Sequence, residues 1–193
     1  MLEWSERFET KIELVDKQHK HLCDLLNKLA HKFTTGVPSE AEVEQTLKEL
    51  LDYANLHFTD EEEMMKAYHM DPHYLAIHHM EHHSFIYDLG RLQLHINPDE
   101  NEVQTAERLV RFITSWLVYH ILGVDQNMAA QMRAIDQGMS PEVAYQSCKD
   151  MKRDAATTQL ILSAVLDLWR DTAEHVRVLE EKLSNLTQNT DNS

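Results

Sequence analysis

Histidine and carboxylate recur along the chain at helical spacing: His57 and Glu61 in HFTDEE, His78 and His82 in HHMEHH, His120 ahead of Asp125 in HILGVD, and His19 in VDKQHKHL. Residues four apart stand one above the other on a helix face, so His57/Glu61 and His78/His82 each offer two donor atoms on one side. On an exposed helix such a pair is ordinary surface decoration. Here the pairs fall on apolar stripes at three/four spacing. The stripes run Ile12, Val15, His19, Leu22, Leu26, Leu29, Phe33; then Val43, Leu47, Leu50, Ala54, His57, Glu61, Met65; then Leu75, His78, His82, Phe85, Leu89, Leu92; then Ala106, Leu109, Ile113, Trp116, His120.

Imidazoles and carboxylates placed in an apolar interior are paired or bind metal, because leaving them bare is costly. No Lys or Arg falls on these stripes to neutralise the acids. Asp125 joins the set if the fourth helix ends near Gly123 and the chain turns the carboxylate back inward. The donors are nitrogen and oxygen without thiolate. They outnumber the four of a tetrahedral zinc site, while calcium takes oxygen alone. A first-row redox metal fits this set, best as a pair of ions bridged by the carboxylates, and the imidazole content favours iron over manganese.

The elements that must position these groups are legible from turn signals. TTGVPSE (34–40, with Ser39 as an N-cap), HMDPH (69–73), NPDENE (97–102) and LGVD (122–125) separate four helical segments. Long helices joined by short loops predict an all-α, up-down-up-down four-helix bundle. Residues 126–139 read as a helical continuation, and Ser140–Pro141–Glu142 as a fresh helix start. Further on, Leu162, Trp169, Val176 and Leu183 occupy one heptad position, and Val165, Thr172, Leu179 and Leu186 the other. Arg170, Glu174, Glu180, Glu181 and Lys182 surround them, which predicts a coiled coil. The alternative is a single helix packed back on the bundle with Trp169 inward. The chain thus divides into a bundle, 1–135, and a helical linker with a coiled-coil tail, 136–193.

Composition agrees with a helical, soluble chain: 42% hydrophobic residues with only 4 Gly and 4 Pro. The formal charge of −15 disfavours nucleic acid as a partner. No apolar run is long enough to span a bilayer, and MLEWSERFETK has no signal-peptide core, so the expected location is the cytoplasm without membrane attachment. Cys23 and Cys148 are expected as reduced thiols, Cys23 as a small buried hydrophobe. His79 and His83 point about 100° away from their neighbours in the ligand pair. With His21, His31, His69, His73, His95 and His175 they are expected to be non-ligands. Met64, Met65 and Met80 are expected to fill core gaps, and Glu62 and Glu63 to form a solvated acidic edge.

Taken in order, VDKQHKHL, HFTDEE, HHMEHHSF and WLVYHILGVD resemble the bacterial hemerythrin domain over residues 1 to about 135, and Trp4 and Phe8 fall where that family commonly has aromatics. The resemblance implies an oxo- or hydroxo-bridged non-haem diiron centre that takes O2 as ligand. His78, His82 and His120 would hold one iron and His19 and His57 the other, with Glu61 and Asp125 bridging. The tail resembles the signalling helices that join bacterial sensor and output domains, and AIDQGMSPEVAYQ is similar to stretches between hemerythrin and cyclase modules. This implies a sensory domain responding to oxygen or redox state, a homodimer through the coiled coil, and an output domain such as a GGDEF diguanylate cyclase. No GGDEF motif occurs in the chain, which is not itself expected to be an enzyme. The other reading is an O2 storage or transport protein. A diiron oxidase is the third, disfavoured by the histidine-rich ligation.

Overall fold

In the computed structural model, residues 2–35, 39–94, 102–149 and 151–191 are described. His95, the expected turn at 97–101 and the side chains of Leu92, Glu174, His175, Lys182 and Leu186 lie outside them. A 3-10 turn, Glu6–Phe8, precedes α1 (Glu13–Thr35), α2 (Glu40–Ala67), α3 (Pro72–Leu94) and α4 (Glu102–Tyr119). A π-helical segment, His120–Asp125, leads into α5 (Gln126–Asp136), followed by α6 (Pro141–Cys148) and α7 (Ala155–Asp191). Among the described residues no strand occurs, and no helix is long and apolar enough to cross a membrane.

The helix starts have local causes. Ser39 and Glu42 form a reciprocal capping box, the Ser39 N–H donating to Glu42 Oε2 at 3.0 Å. Asp71 Oδ1 accepts the His73 N–H at 2.9 Å, with Pro72 at the first helical position of α3. Ser140 caps α6 ahead of Pro141 as expected. Asp154 caps α7, accepting the Thr157 N–H at 2.9 Å and its hydroxyl at 2.6 Å.

The four apolar stripes meet in the interior, and their hydrophobic residues form two clusters. One gathers Leu22, Leu26, Leu29, Leu50, Phe58, Phe85, Leu89, Ile113 and Trp116. The other gathers Val15, Met65, Met70, Tyr74, Met128 and Met132. Every buried histidine and the acids Glu61 and Asp125 lie between residues of the first cluster and residues of the second along their helices. The polar groups therefore form a layer enclosed at both ends by hydrocarbon. Cys23 is buried and Cys148 partly so, and both are free thiols. Burial, with Asp24 nearby, pushes the Cys23 thiol up to about 12.

Two expectations change. Met65 is fully buried, but Met80 is 60% exposed, because two residues past His78 a helix has turned its side chain to the far side. The tail does not stand away from the bundle over its first turns. It packs along α4, with Thr157 and Ala164 buried and Ile161 and Leu168 against the core. Trp169 is not inward; it is 67% exposed, and Leu162, Val165, Val176, Leu179 and Leu183 are exposed with it. One face of α7 thus completes the core while the heptad seam stays in solvent.

Replacement of Met65 by Ala is expected to cost about 2–5 kcal/mol in urea unfolding, as for other buried large-to-small changes. Met80→Ala is expected to stay within ~0.5 kcal/mol.

Candidate metal centre

His19 comes from α1, His57 and Glu61 from α2, His78 and His82 from α3, and His120 and Asp125 from the π segment; all seven are buried. Their donor atoms fall into two groups that could hold a cation, each within 4.8 Å of one another: Glu61, His78, His82 and His120, and His19, His57, Glu61 and Asp125. Asp125 also spans the two. Its Oδ1 lies 3.1 Å from His120 Nε2 and 3.4 Å from His78 Nε2, while Oδ2 lies 3.1 Å from His19 Nε2. Glu61 Oε2 lies 3.3, 3.4 and 3.7 Å from the Nε2 atoms of His78, His82 and His57.

Asp125 reaches the layer by a route that differs from the expected one. The helix does not end at Gly123; it widens into a π turn and continues as α5. In an α-helix the fifth residue on sits about 140° round the axis, at 100° per residue. With i→i+5 bonding, shown by the Gln126 N–H donating to Ile121 O, that residue returns to the same face. Aromatic rings set the imidazole planes from outside. Trp116 stacks on His120 with centroids 4.2 Å apart, and Phe58 on His82 at 3.9 Å.

The layer fits metal on its own chemistry. Both oxygens of Glu61 and of Asp125, and the Nε2 atoms of His19, His78, His82 and His120, make no hydrogen bond despite their closeness. Orphaned atoms of this kind, all aimed at one another, are what a shared cation satisfies. Burial pushes both carboxyls up, and Asp125 raises Glu61 further, yet the surrounding imidazoles hold both below the usual carboxylate range. Burial lowers His57 to about 4 and lowers His82 too, so these rings are neutral and present lone pairs. Burial also opposes protonation of His78, but the carboxylates of Asp125 and Glu61 raise it to about 9. No Lys or Arg is buried among the described residues to balance the two acids.

Two positioning residues went unread in the sequence. Gln18 Oε1 lies 3.0 Å from His57 Nδ1, and its amide nitrogen donates to Asp60 Oδ2 at 2.5 Å, which fixes the amide so that its oxygen takes the ring N–H. Glu62 is not simply a solvated edge: its Oε1 lies 2.8 Å from His79 Nδ1 and 3.3 Å from His82 Nδ1. Both hold a ring by its far nitrogen and leave Nε2 for the layer. Glu63 is exposed as expected. His21, His31, His69, His73, His79 and His83 are exposed and outside both donor groups; His95 and the side chain of His175 are not among the described residues. Gln18 carried no spacing signal, since its partner is 39 positions away. Adjacency to Glu61 was the only hint for Glu62.

Comparison with known proteins points the same way. The Hemerythrin HHE cation binding domain family matches residues 10–132. A bacteriohemerythrin from Methylococcus capsulatus is 34% identical over 128 residues, covering 65% of this chain and 92% of that protein. Another from Stenotrophomonas maltophilia is 30% identical over 134 residues, 69% of this chain and 83% of its own length. A myohemerythrin from Theromyzon tessulatum is 31% identical over 123 residues, 64% of this chain and 87% of its own.

Glu62→Ala is expected to weaken metal binding by ~10–100-fold, as loss of a carboxylate behind a metal-facing imidazole does. Glu63→Ala is expected to leave it unchanged. Competition against a chelator of known affinity measures both.

Proposed function

The chain belongs to the hemerythrin family, and on that footing we propose that its enclosed polar layer carries two non-haem iron ions and binds O2 through them. His78, His82 and His120 would hold one ion and His19 and His57 the other, with Glu61 and Asp125 between them. The observation that carries this reading is the split of Asp125, whose two oxygens face histidines of different groups, Oδ1 toward His78 and His120 and Oδ2 toward His19. A pair of ferrous ions supplies the electrons that hold O2 reversibly. The protein's part is to aim the donors and to leave room. The His19/His57 side has one imidazole fewer, and O2 would find its place there. The two hydrocarbon clusters exclude water from both ends of the layer, and the charge contrast inside is correspondingly strong.

We further infer that binding is read out: the chain is a sensory domain responding to oxygen or redox state through its C-terminal helix. The functional boundary then falls near residue 135, with the diiron bundle before it and the linker and tail, 136–193, after it. Support comes from α7 lying along α4, the helix that runs into His120, and from the exposed seam on its outer side. That seam is the surface for a second copy of the chain in a coiled-coil homodimer. A contiguous apolar stripe of this kind is unusual on a monomer. An output domain, with a GGDEF diguanylate cyclase as the candidate, would be driven from the tail; the chain itself carries no catalytic role. We place it in the cytoplasm, in keeping with two free thiols and a charge of −15. Storage or transport of O2 is the second reading, favoured by the family match ending at residue 132, short of the tail. Rapid autoxidation with a tail that differs between redox states supports sensing. Slow autoxidation with an unchanged tail supports storage.

Reconstituted protein is expected to contain two irons per chain and, reduced under nitrogen and then exposed to air, to develop a visible charge-transfer band that bleaches when O2 is removed. Less than one iron per chain after careful reconstitution overturns the assignment. Independently, Trp169→Glu combined with Leu183→Glu is expected to convert a dimer to a monomer in sedimentation velocity without changing that band.

A further inference from the structure

The π segment is bonded from outside at three consecutive carbonyls. Arg153 Nε donates to Leu122 O at 2.9 Å and Arg153 Nη2 to Gly123 O at 2.9 Å, while the Tyr74 hydroxyl donates to Val124 O at 2.8 Å. A π turn breaks the regular α ladder, so its carbonyls are available to side-chain donors, and buried carbonyls need them. Leu122 and Val124 are buried, and Gly123 lies between them. The three peptides stand midway between His120 and Asp125.

Arg153 and Tyr74 reach this place from different directions. Tyr74 belongs to α3, four residues ahead of His78, and is part of the bundle core. Arg153 belongs to the linker and immediately precedes Asp154, the residue that caps α7. A guanidinium is a rigid planar fork, and here its two donors hold neighbouring carbonyls at equal length. A shift of the π backbone therefore displaces the start of α7 directly, without passing through α5 and α6.

We propose that Arg153 is the positioning residue that couples the metal-binding π segment to α7. The inference rests on the metal and sensing readings above. It adds to them the specific link by which a change at His120 and Asp125 reaches the tail. Thermodynamic reciprocity requires that the tail's setting in turn bias the site.

The test is amide hydrogen exchange on the iron-loaded full chain, reduced under nitrogen and after oxidation in air. In the native protein both the 119–126 segment and the first turns of α7, 155–168, are expected to change exchange rate between the two states, α7 by about tenfold, within the usual range of coupling between sites. Arg153→Lys keeps the charge and loses the fork; it is expected to preserve the change at 119–126 and abolish that at 155–168. Asp154→Ala removes the α7 cap without touching the π segment, and should raise exchange in α7 in both states while preserving the difference. A native α7 that does not respond while 119–126 does, or an Arg153→Lys variant with the full α7 response, overturns the link while leaving the sensing site intact. No response at 119–126 in any variant overturns the sensing reading itself, and the link with it.

Discussion

Two carboxylates and five imidazoles share a layer with no solvent contact, and the rest of the molecule is arranged around the cost of that burial. An ion moved from water to a protein interior loses several kcal/mol even after relaxation, unless it is matched at close range. Among the described residues Glu61 and Asp125 have neither hydrogen bonds nor a buried Lys or Arg to match them. The imidazoles relieve part of the cost and hold both acids ionised. Metal cations supply the remainder, so binding and folding are one equilibrium in such a site. The hydrocarbon clusters on either side sharpen the demand, because they remove the water that would otherwise screen the charges.

The same constraint explains a local irregularity. A regular α-helix cannot put His120 and Asp125 on one face, yet the layer needs both. The chain resolves this within a continuous helix by one π turn, which leaves backbone groups to be satisfied by Arg153 and Tyr74. Irregular backbone at a functional site is common for this reason: chemistry asks for a direction that the regular repeat does not provide. Rigidity then comes from the flanks, where Trp116 and Phe58 stack on His120 and His82, and Gln18 and Glu62 hold His57 and His82 by their far nitrogens.

The tail has two apolar faces with different fates. Thr157, Ile161, Ala164 and Leu168 turn toward α4, while Leu162, Val165, Trp169, Val176, Leu179 and Leu183 turn to solvent. In a heptad these sets interleave, so coiled-coil seam and docked helix are not exclusive. Small Ala164 and Thr157 allow close approach to α4, whereas bulky Trp169 stays outside. The metal layer and the outward seam are thereby connected through a single packed helix pair.

By itself the sequence determined the four helices, the inward placement of His19, His57, Glu61, His78, His82 and His120, and the exclusion of the neighbouring described histidines from the layer. Helical periodicity is a local property, and a polar residue on an apolar stripe announces itself without knowledge of its partners. Asp125 is expected inward and lies inward, but its expected route is a helix end, because a π turn has no composition of its own and Gly123 resembles a stop. Met80 was misplaced by residue type, which says that methionine packs well and not which way it points. Gln18, Glu62 and Arg153 depend on contacts between segments 20 to 39 positions apart, and nothing at their own positions marks them. The docking of α7 and the two-sided reach of Asp125 belong to the same class. They are properties of how helices are set against one another, which only long-range packing decides.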